Sequence, residues 1–395
     1  MIKKIRTHHE HPGGRVFSWL SLIMGVGTAM LIPIFPGFVK DILGSDGGVS
    51  VFYSIMALVM LGGGLASTVI LEKIDRTKIT KASFIISAIV LIGFIFTTRV
   101  YELSLFQGIF VIMKLFSIMA VSLFVRDYTK IKDLGVEEGV FYRFNNIGFL
   151  IGLLAGGFLA SKFGYEIVFF ISAIVMFIGF LYFNHLHIVV QNPAIVQENK
   201  TALPNVIDHL KKFFSSVNRK KAYLVTLSLM IWRGFKTLYI PLYILESGYL
   251  ESMSGLILAL SIVPFIFLEV WVGEYAEKKG IRIPIAGGFF LIAICLLFVY
   301  LSPYILLNFA VLIVANIGAA FIEPLQEYYL FKHTPKKEED ELYGVYMTAD
   351  PVAYFLAPAT GAVILFFLPF NYLFLLFAII WLVFGGYFWV ALPER

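Results

Sequence analysis

The sequence predicts an all-α polytopic membrane protein: twelve transmembrane helices in two six-helix bundles related by a parallel repeat. Three observations carry this. Of 395 residues, 59% are hydrophobic and only 14% charged, against about 25% charged in an average soluble domain. The apolar residues gather into twelve runs, each of about 20 residues and so long enough to cross a hydrocarbon core of about 30 Å. A single shift of 205 positions (241 minus 36) brings Pro36 onto Pro241, Asp41 onto Glu246, Glu72 onto Glu277, Asn145 onto Asp350 and Gly156 onto Gly361. Chance pairing of a few prolines and glycines is the alternative, but the matches fall on equivalent runs in the same order.

The first half holds runs at 16–38, 51–71, 82–98, 103–125, 144–160 and 167–183, and the second at 223–245, 254–272, 283–301, 305–325, 343–367 and 370–390. The first run follows Lys3, Lys4, Arg6 and Arg15 but is too long for a signal h-region and lacks a small-residue cleavage pattern. Alternate loops are basic. One set holds the amino tail, Lys73/Arg76/Lys78/Lys81, Arg126/Lys130/Lys132/Arg143, 200–221, Lys278/Lys279/Arg282 and Lys332/Lys336/Lys337, whereas the other has only Lys40, Arg99 and Lys162. Because cytoplasmic loops retain Lys and Arg, both termini are expected in the cytoplasm, with the chain in a cell membrane. That bias accounts for the net charge of +5 without invoking nucleic acid.

The halves are expected at 1–186 and 223–395, joined by a polar, basic cytoplasmic linker over 187–222. Within it, 205–214 (NVIDHLKKFF) is amphipathic enough to lie along the membrane face. Cys295 is the only cysteine and falls inside an apolar run, so no intramolecular disulfide is possible. His8, His9, Glu10 and His11 lack a defined ligand geometry, and no metal or cofactor is expected. Nothing resembles a Walker loop, which argues against an ATP-driven pump.

The loop after the eighth run reads Gly273-Glu-Tyr-Ala-Glu277-Lys278-Lys-Gly280-Ile-Arg282. It resembles the loop signature G-x-L-A-D-R-x-G-R-R of the major facilitator superfamily. Its counterpart after the second run, Glu72-Lys73-Ile-Asp75-Arg76, is a degenerate copy in which Asp75 replaces the turn glycine. In the family the acidic position braces the start of a helix in the opposite half, where the helix dipole favours negative charge. The resemblance therefore implies a conformational role for Glu72 and Glu277; a charged loop that simply fixes topology is the alternative. The fifth run contains Gly148, Gly152, Gly156 and Gly157, resembling the antiporter signature G-x-x-x-G-P-x-x-G-G of drug exporters, with Leu153 in place of the proline. The symmetry-related stretch keeps Pro358 and Gly361. Small-residue helix packing, without information on transport direction, explains the same pattern.

A charge at the bilayer centre costs roughly 2.5–3.5 kcal/mol even on lenient insertion scales, so it belongs in the bundle interior. Lys114 lies midway along the fourth run, Arg233 and Lys236 midway along the seventh, and Asp350 about two turns into the eleventh. Glu269 and Glu323 lie nearer the cytoplasmic ends of the eighth and tenth. Gln107 and Ser117 share a face with Lys114; Asn316, Glu323 and Glu327 form a second stripe, and Tyr346, Asp350 and Tyr354 a third. Gln107, Lys114, Arg233, Lys236, Asn316, Tyr346 and Tyr354 are the candidate substrate-binding residues. Three deep cations point to an anionic substrate group or to pairing with the carboxylates that merely holds the halves together. Asp350 is the first candidate for proton coupling, with Glu323 and Glu269 next.

Family resemblance and this charge pattern together imply an alternating-access secondary transporter, a monomer in the lipid bilayer, carrying a small-molecule substrate coupled to protons and working in export. A symporter or facilitator for a small anionic metabolite is the alternative within transport. A non-transporting receptor or a polytopic membrane enzyme is the alternative of another class.

Overall fold

A computed structural model describes residues 15–129, 134–186, 206–335 and 338–394. The His8–His11 cluster, Lys200, and the basic residues Lys130, Lys132, Lys336 and Lys337 lie outside the described residues. Among those described, the chain forms helices α1 (Arg15–Ala29), α2 (Phe35–Leu43), α3 (Asp46–Lys73), α4 (Arg76–Ile95), α5 (Val100–Tyr128), α6 (Leu134–Phe163) and α7 (Tyr165–His185). A short α8 (Val206–Ser215) precedes the second half, which holds α9 (Val217–Glu246), α10 (Glu251–Leu260), α11 (Val263–Lys279), α12 (Arg282–Leu301) and α13 (Ile305–Lys332). The chain closes with α14 (Glu339–Tyr346), α15 (Ala349–Phe367) and α16 (Tyr372–Ala391).

Among the described residues, ten spans are long and apolar enough to cross a membrane. The α1–α2 pair and α9, which carries Arg233 and Lys236, make the other two of twelve. Large apolar side chains such as Leu105, Phe158, Phe177, Ile294 and Val383 stand exposed on the outer faces, as lipid requires.

Three crossings that read as continuous apolar runs are broken, and proline explains each break. The chain turns at 30–34, 261–262 and 347–348, and in each case a proline follows inside the next helix's first turn: Pro36 in α2, Pro264 in α11 and Pro351 in α15. Proline fixes φ and has no N–H, so it fits a helix's first turn, where no i→i−4 donor is needed, and cannot continue the hydrogen-bond ladder of the preceding helix. Tight i→i−3 bonds such as Ile34 N to Leu31 O, Ile262 N to Ala259 O and Thr348 N to Val345 O cover the turns.

Within the first half α1 lies along α6 and α4 along both α5 and α7, while in the second α12 packs on α13 and α16. Glycine sets the closest approaches: a Cβ at Gly152 would stand 2.6 Å from Val26 O, and one at Gly156 would overlap Met30 O. The repeat shows here too. Gly156 meets α1 just as its partner Gly361 meets Tyr239 on α9.

The halves join through α3 with α15 and α6 with α10. The side-chain contacts across that join sit at the end away from the termini. Ser50 Oγ and Tyr239 Oη are 2.9 Å apart, Tyr165 donates to Glu251 at 3.0 Å, Ser252 N donates to Ser161 Oγ at 2.7 Å, and Lys40 pairs with Glu246. Gly157 and Gly255 interlock there, since a Cβ on Gly157 would be 3.0 Å from Gly255 Cα. Towards the termini, α11 packs mainly on α13, and α14 on α8. Among the described residues the side-chain contacts between the halves thus clasp the bundle at one end.

Helix α9 begins earlier than the apolar run, because Ser216 caps it through Arg219 N and the Arg219 guanidinium donates to the Lys212 and Phe213 carbonyls ending α8. A basic first turn that reads as linker is in fact helix.

Candidate functional site

The deep charges of the second half converge on Arg233. It is carried by α9 and pairs with Glu323 of α13, and both Asp350 and Tyr354 of α15 lie within electrostatic range of the same guanidinium. Only one Glu323 oxygen takes part, leaving Oε2 buried with no hydrogen-bond partner among the described residues. Asp350 does not lie two turns into a continuous helix, as the sequence suggested. The 347–348 break makes it the second residue of α15, in the first turn, where the helix dipole favours a carboxylate.

Across the same break Tyr346 stays within electrostatic range of Asp350 but takes a different hydrogen-bond partner. Tyr346 ends up against Thr226 of α9 through a buried hydroxyl pair, while Asp350 and Tyr354 face Arg233.

Lys236, one turn beyond Arg233, donates to Asn316 Oδ1 at 3.0 Å and lies 5.6 Å from the centre of the Phe265 ring. Asn316 Oδ1 also receives Trp232 Nε1 at 3.4 Å, and its amide donates to Leu312 O at 2.9 Å. The asparagine is thereby fixed in one orientation. Glu269 lies on α11, but its side chain is outside the described residues.

In the first half Lys114 of α5 faces a cleft with Ser117 and with Thr28 and Ser87 from α1 and α4. Ser117 donates to Ser83 Oγ at 2.7 Å. Gln107, two turns from Lys114, keeps a buried Oε1 with no partner among the described residues. Asn145, the repeat partner of Asp350, donates to Ser21 O at 3.2 Å. Its neutral amide closes a helix contact where Asp350 meets a guanidinium.

The loop-signature residues sit at the end of the termini. Gly280 takes φ +90° at the end of α11, a backbone region that favours glycine. Arg282 pairs with Glu394 at 2.5 Å and lies 4.7 Å from the Trp389 ring centre. Glu277 and Lys278 are exposed and line a groove with Lys221, Lys332 and His333 of their own half. An added Cβ at Gly273 meets nothing within 4 Å. The Glu72 side chain is outside the described residues; in the degenerate copy Asp75 caps α4 through Thr77 N at 2.7 Å, beside Arg76. Of the glycine motif, Gly148, Gly152 and Gly156 face α1, whereas Gly157 faces the opposite half. Pro358 lies inside α15 and offers its carbonyl to Tyr239 at 3.3 Å.

Sequence reading missed Tyr239, Ser50, Tyr165 and Glu251. Hydroxyls give no hydropathy signal, and Glu251 reads as an ordinary loop acid.

The sequence profile of the Major Facilitator Superfamily matches residues 17–349 and 251–395. No curated protein sequence matches the chain significantly. Solved structures do match in fold. A mutant form of the nucleoside transporter NupG superposes with a TM-score of 0.79 at 13% identity, over 96% of this chain and 100% of that one. The D-xylose-proton symporter gives 0.76 at 14% identity, over 96% and 97%. A bacterial homologue of the human lysosomal transporter Spinster, inward-facing and unoccupied, gives 0.71 at 11% identity, over 96% of each chain.

Proposed function

This chain belongs to the Major Facilitator Superfamily, and from that membership we propose a monomeric, proton-coupled secondary transporter that moves a small molecule by alternating access. The observation that carries the coupling is Arg233. One guanidinium is shared by Glu323 and Asp350, so the set has one negative charge in excess, and a single proton makes it neutral. Moving the halves changes how closely Asp350 approaches the guanidinium, and a carboxylate that gains or loses a cation gives up or takes a proton. Substrate binding draws on the surrounding Lys236, Asn316 and Tyr354, with Tyr346 beneath them and Gln107 and Lys114 facing from the first half.

The clasp at the end away from the termini supports a state open towards the termini. With the basic loops on that side, the open side is the cytoplasm, where an exporter loads. The glycine pattern of α6, similar to that of drug exporters, supports the same direction. Glu72 and Glu277 act in the alternate state, in which their loops close against the opposite half.

The test is transport in proteoliposomes containing a pH-sensitive dye, challenged in turn with a nucleoside, a pentose, a lipophilic cation and a carboxylate. At least one should move with a proton gradient and carry protons with it. Asp350→Asn should abolish the coupling while leaving ligand-induced thermal stabilisation. An Asp350→Asn protein with full proton-driven transport refutes the assignment.

A further inference from the structure

At the end of the termini, the second half holds a groove of about 620 Å³ between the starts of α9 and α12 and the ends of α11, α13 and α16. That volume lies within the range of about 300–1,000 Å³ typical of small-molecule sites. Lys221, Lys278 and Lys332 line it with one acid, Glu277. With His333 neutral, three lysines against one carboxylate leave two positive charges in excess.

None of the three lysines pairs with a carboxylate among the described residues. Lys221 donates to Ala391 O at 2.5 Å, and Lys332 stands 5.8 Å from the centre of the Tyr328 ring. Lys278 and the Tyr328 hydroxyl make no hydrogen bond among the described residues. Helix α12 starts without a side-chain cap at Ile281, which lines the same groove, so the positive end of its dipole adds to the lysines. Two unused ammonium groups, a phenol and a helix start form a donor set for an oxyanion, and phosphate has the most acceptor oxygens to meet it.

Position identifies the source of that phosphate. The membrane spans α13 and α16 end at Lys332 and Ala391, and α12 begins at Arg282, so the groove lies at the level of the lipid head groups. Its α16 wall runs into the outer face of the bundle, where Trp389 is 44% and Val390 83% exposed, and tryptophan favours that interfacial depth. Polar donors above an apolar face that acyl chains must cover match one amphiphile, a phospholipid. An anionic head group lowers the positive excess of the groove, whereas a zwitterionic one leaves it unchanged.

We infer that this groove binds the phosphate of an anionic phospholipid from the leaflet on the side of the termini, with Lys278, Lys332 and Tyr328 donating to it and an acyl chain lying along Val390. The site is separate from the Arg233 charge set, and it stands whether or not transport is coupled to protons. A lipid held there ties the α11–α12 loop to α13 and α16 of its own half.

Thermal melting of the purified full chain in a neutral detergent tests this, with phosphatidylglycerol, phosphatidylcholine and phosphatidylethanolamine titrated in turn and inorganic phosphate and glycerol 3-phosphate as soluble arms. Phosphatidylglycerol should raise the melting temperature at concentrations where the zwitterionic lipids and soluble phosphates do not. Lys278→Gln/Lys332→Gln should weaken that effect by about tenfold to a hundredfold, the value of a charge-assisted hydrogen bond. Lys211→Gln/Lys220→Gln removes the same charge from exposed positions outside the groove and should keep the affinity. Lys278 and Lys332 are exposed, so their variant should fold; were it not to, Lys332→Gln alone and Tyr328→Phe read the same loss. Equal stabilisation by anionic and zwitterionic lipids, or none by any, overturns the inference. So does equal loss in the two double variants, which assigns the effect to a diffuse basic surface, and so does equal stabilisation by a soluble phosphate, which assigns the groove to a free anion.

Discussion

Replacing Gly157 by alanine adds one methyl group where the halves meet. On the present backbone that Cβ would stand 3.0 Å from Gly255 Cα and 3.1 Å from Gly255 N, and would overlap Glu251 O. Backbone atoms on a helix cannot swing aside as a side-chain tip does, so α6 and α10 must separate by several tenths of an ångström. Overpacking of this kind costs about 1–3 kcal/mol. Because the contact crosses the halves, that cost falls on the clasped state alone, and the population ratio should shift about fivefold to 150-fold towards release of the clasp. The assay is labelling with a membrane-impermeant maleimide at Ser54→Cys, a buried position on α3 one turn below Ser50. Cys295 is buried and should contribute little background. Gly156→Ala is the control: its Cβ would overlap Met30 O within the first half, so it should lower the melting temperature without raising labelling. If Gly157→Ala labels at the wild-type rate, or if the two variants behave alike, the reasoning fails.

Tyr239→Phe removes the hydroxyl that bridges Ser50 and Pro358 and should weaken the clasp by about 0.5–1.5 kcal/mol, read as a smaller rise in the same labelling rate. Arg233→Gln strands Glu323 without its cation and should destabilise the protein by about 1–3 kcal/mol, less than a fully buried pair would because the Arg233 side chain is 38% exposed, with most of the loss recovered in the Arg233→Gln/Glu323→Gln pair by thermal melting. Asp41, at the clasped end of α2, has its carboxyl held above the usual carboxylate range by burial and then by Glu251, against the pull of Lys40, with Tyr165 and Glu246 nearby. A raised pKa works in one direction: the stabilisation is full below the ordinary carboxylate pKa of about 4 and is lost as pH rises through the shifted value. Labelling at Ser54→Cys should therefore increase as the pH of the clasped side is raised, and Asp41→Asn should flatten that dependence.

The amino-acid sequence by itself determined that this chain spans the membrane repeatedly as two like halves, because length and apolarity of each run decide crossing before any tertiary contact forms. It also located the rare deep charges, since each is an exception in an apolar run. Packing decided the rest. Only the structure showed the 347–348 turn that puts Asp350 at a helix start. Spacing placed Arg233 and Lys236 on one face, but whether each met an acid or an amide depended on which residues of α13 came opposite. Four glycines read as one motif, and tertiary structure assigned three to packing within a half and Gly157 to the contact between halves. Lys114 was legible as a rare deep charge, whereas the hydroxyl-bearing cleft it faces was not. Helix periodicity tells which side chains share a face, and only three-dimensional packing tells what that face meets.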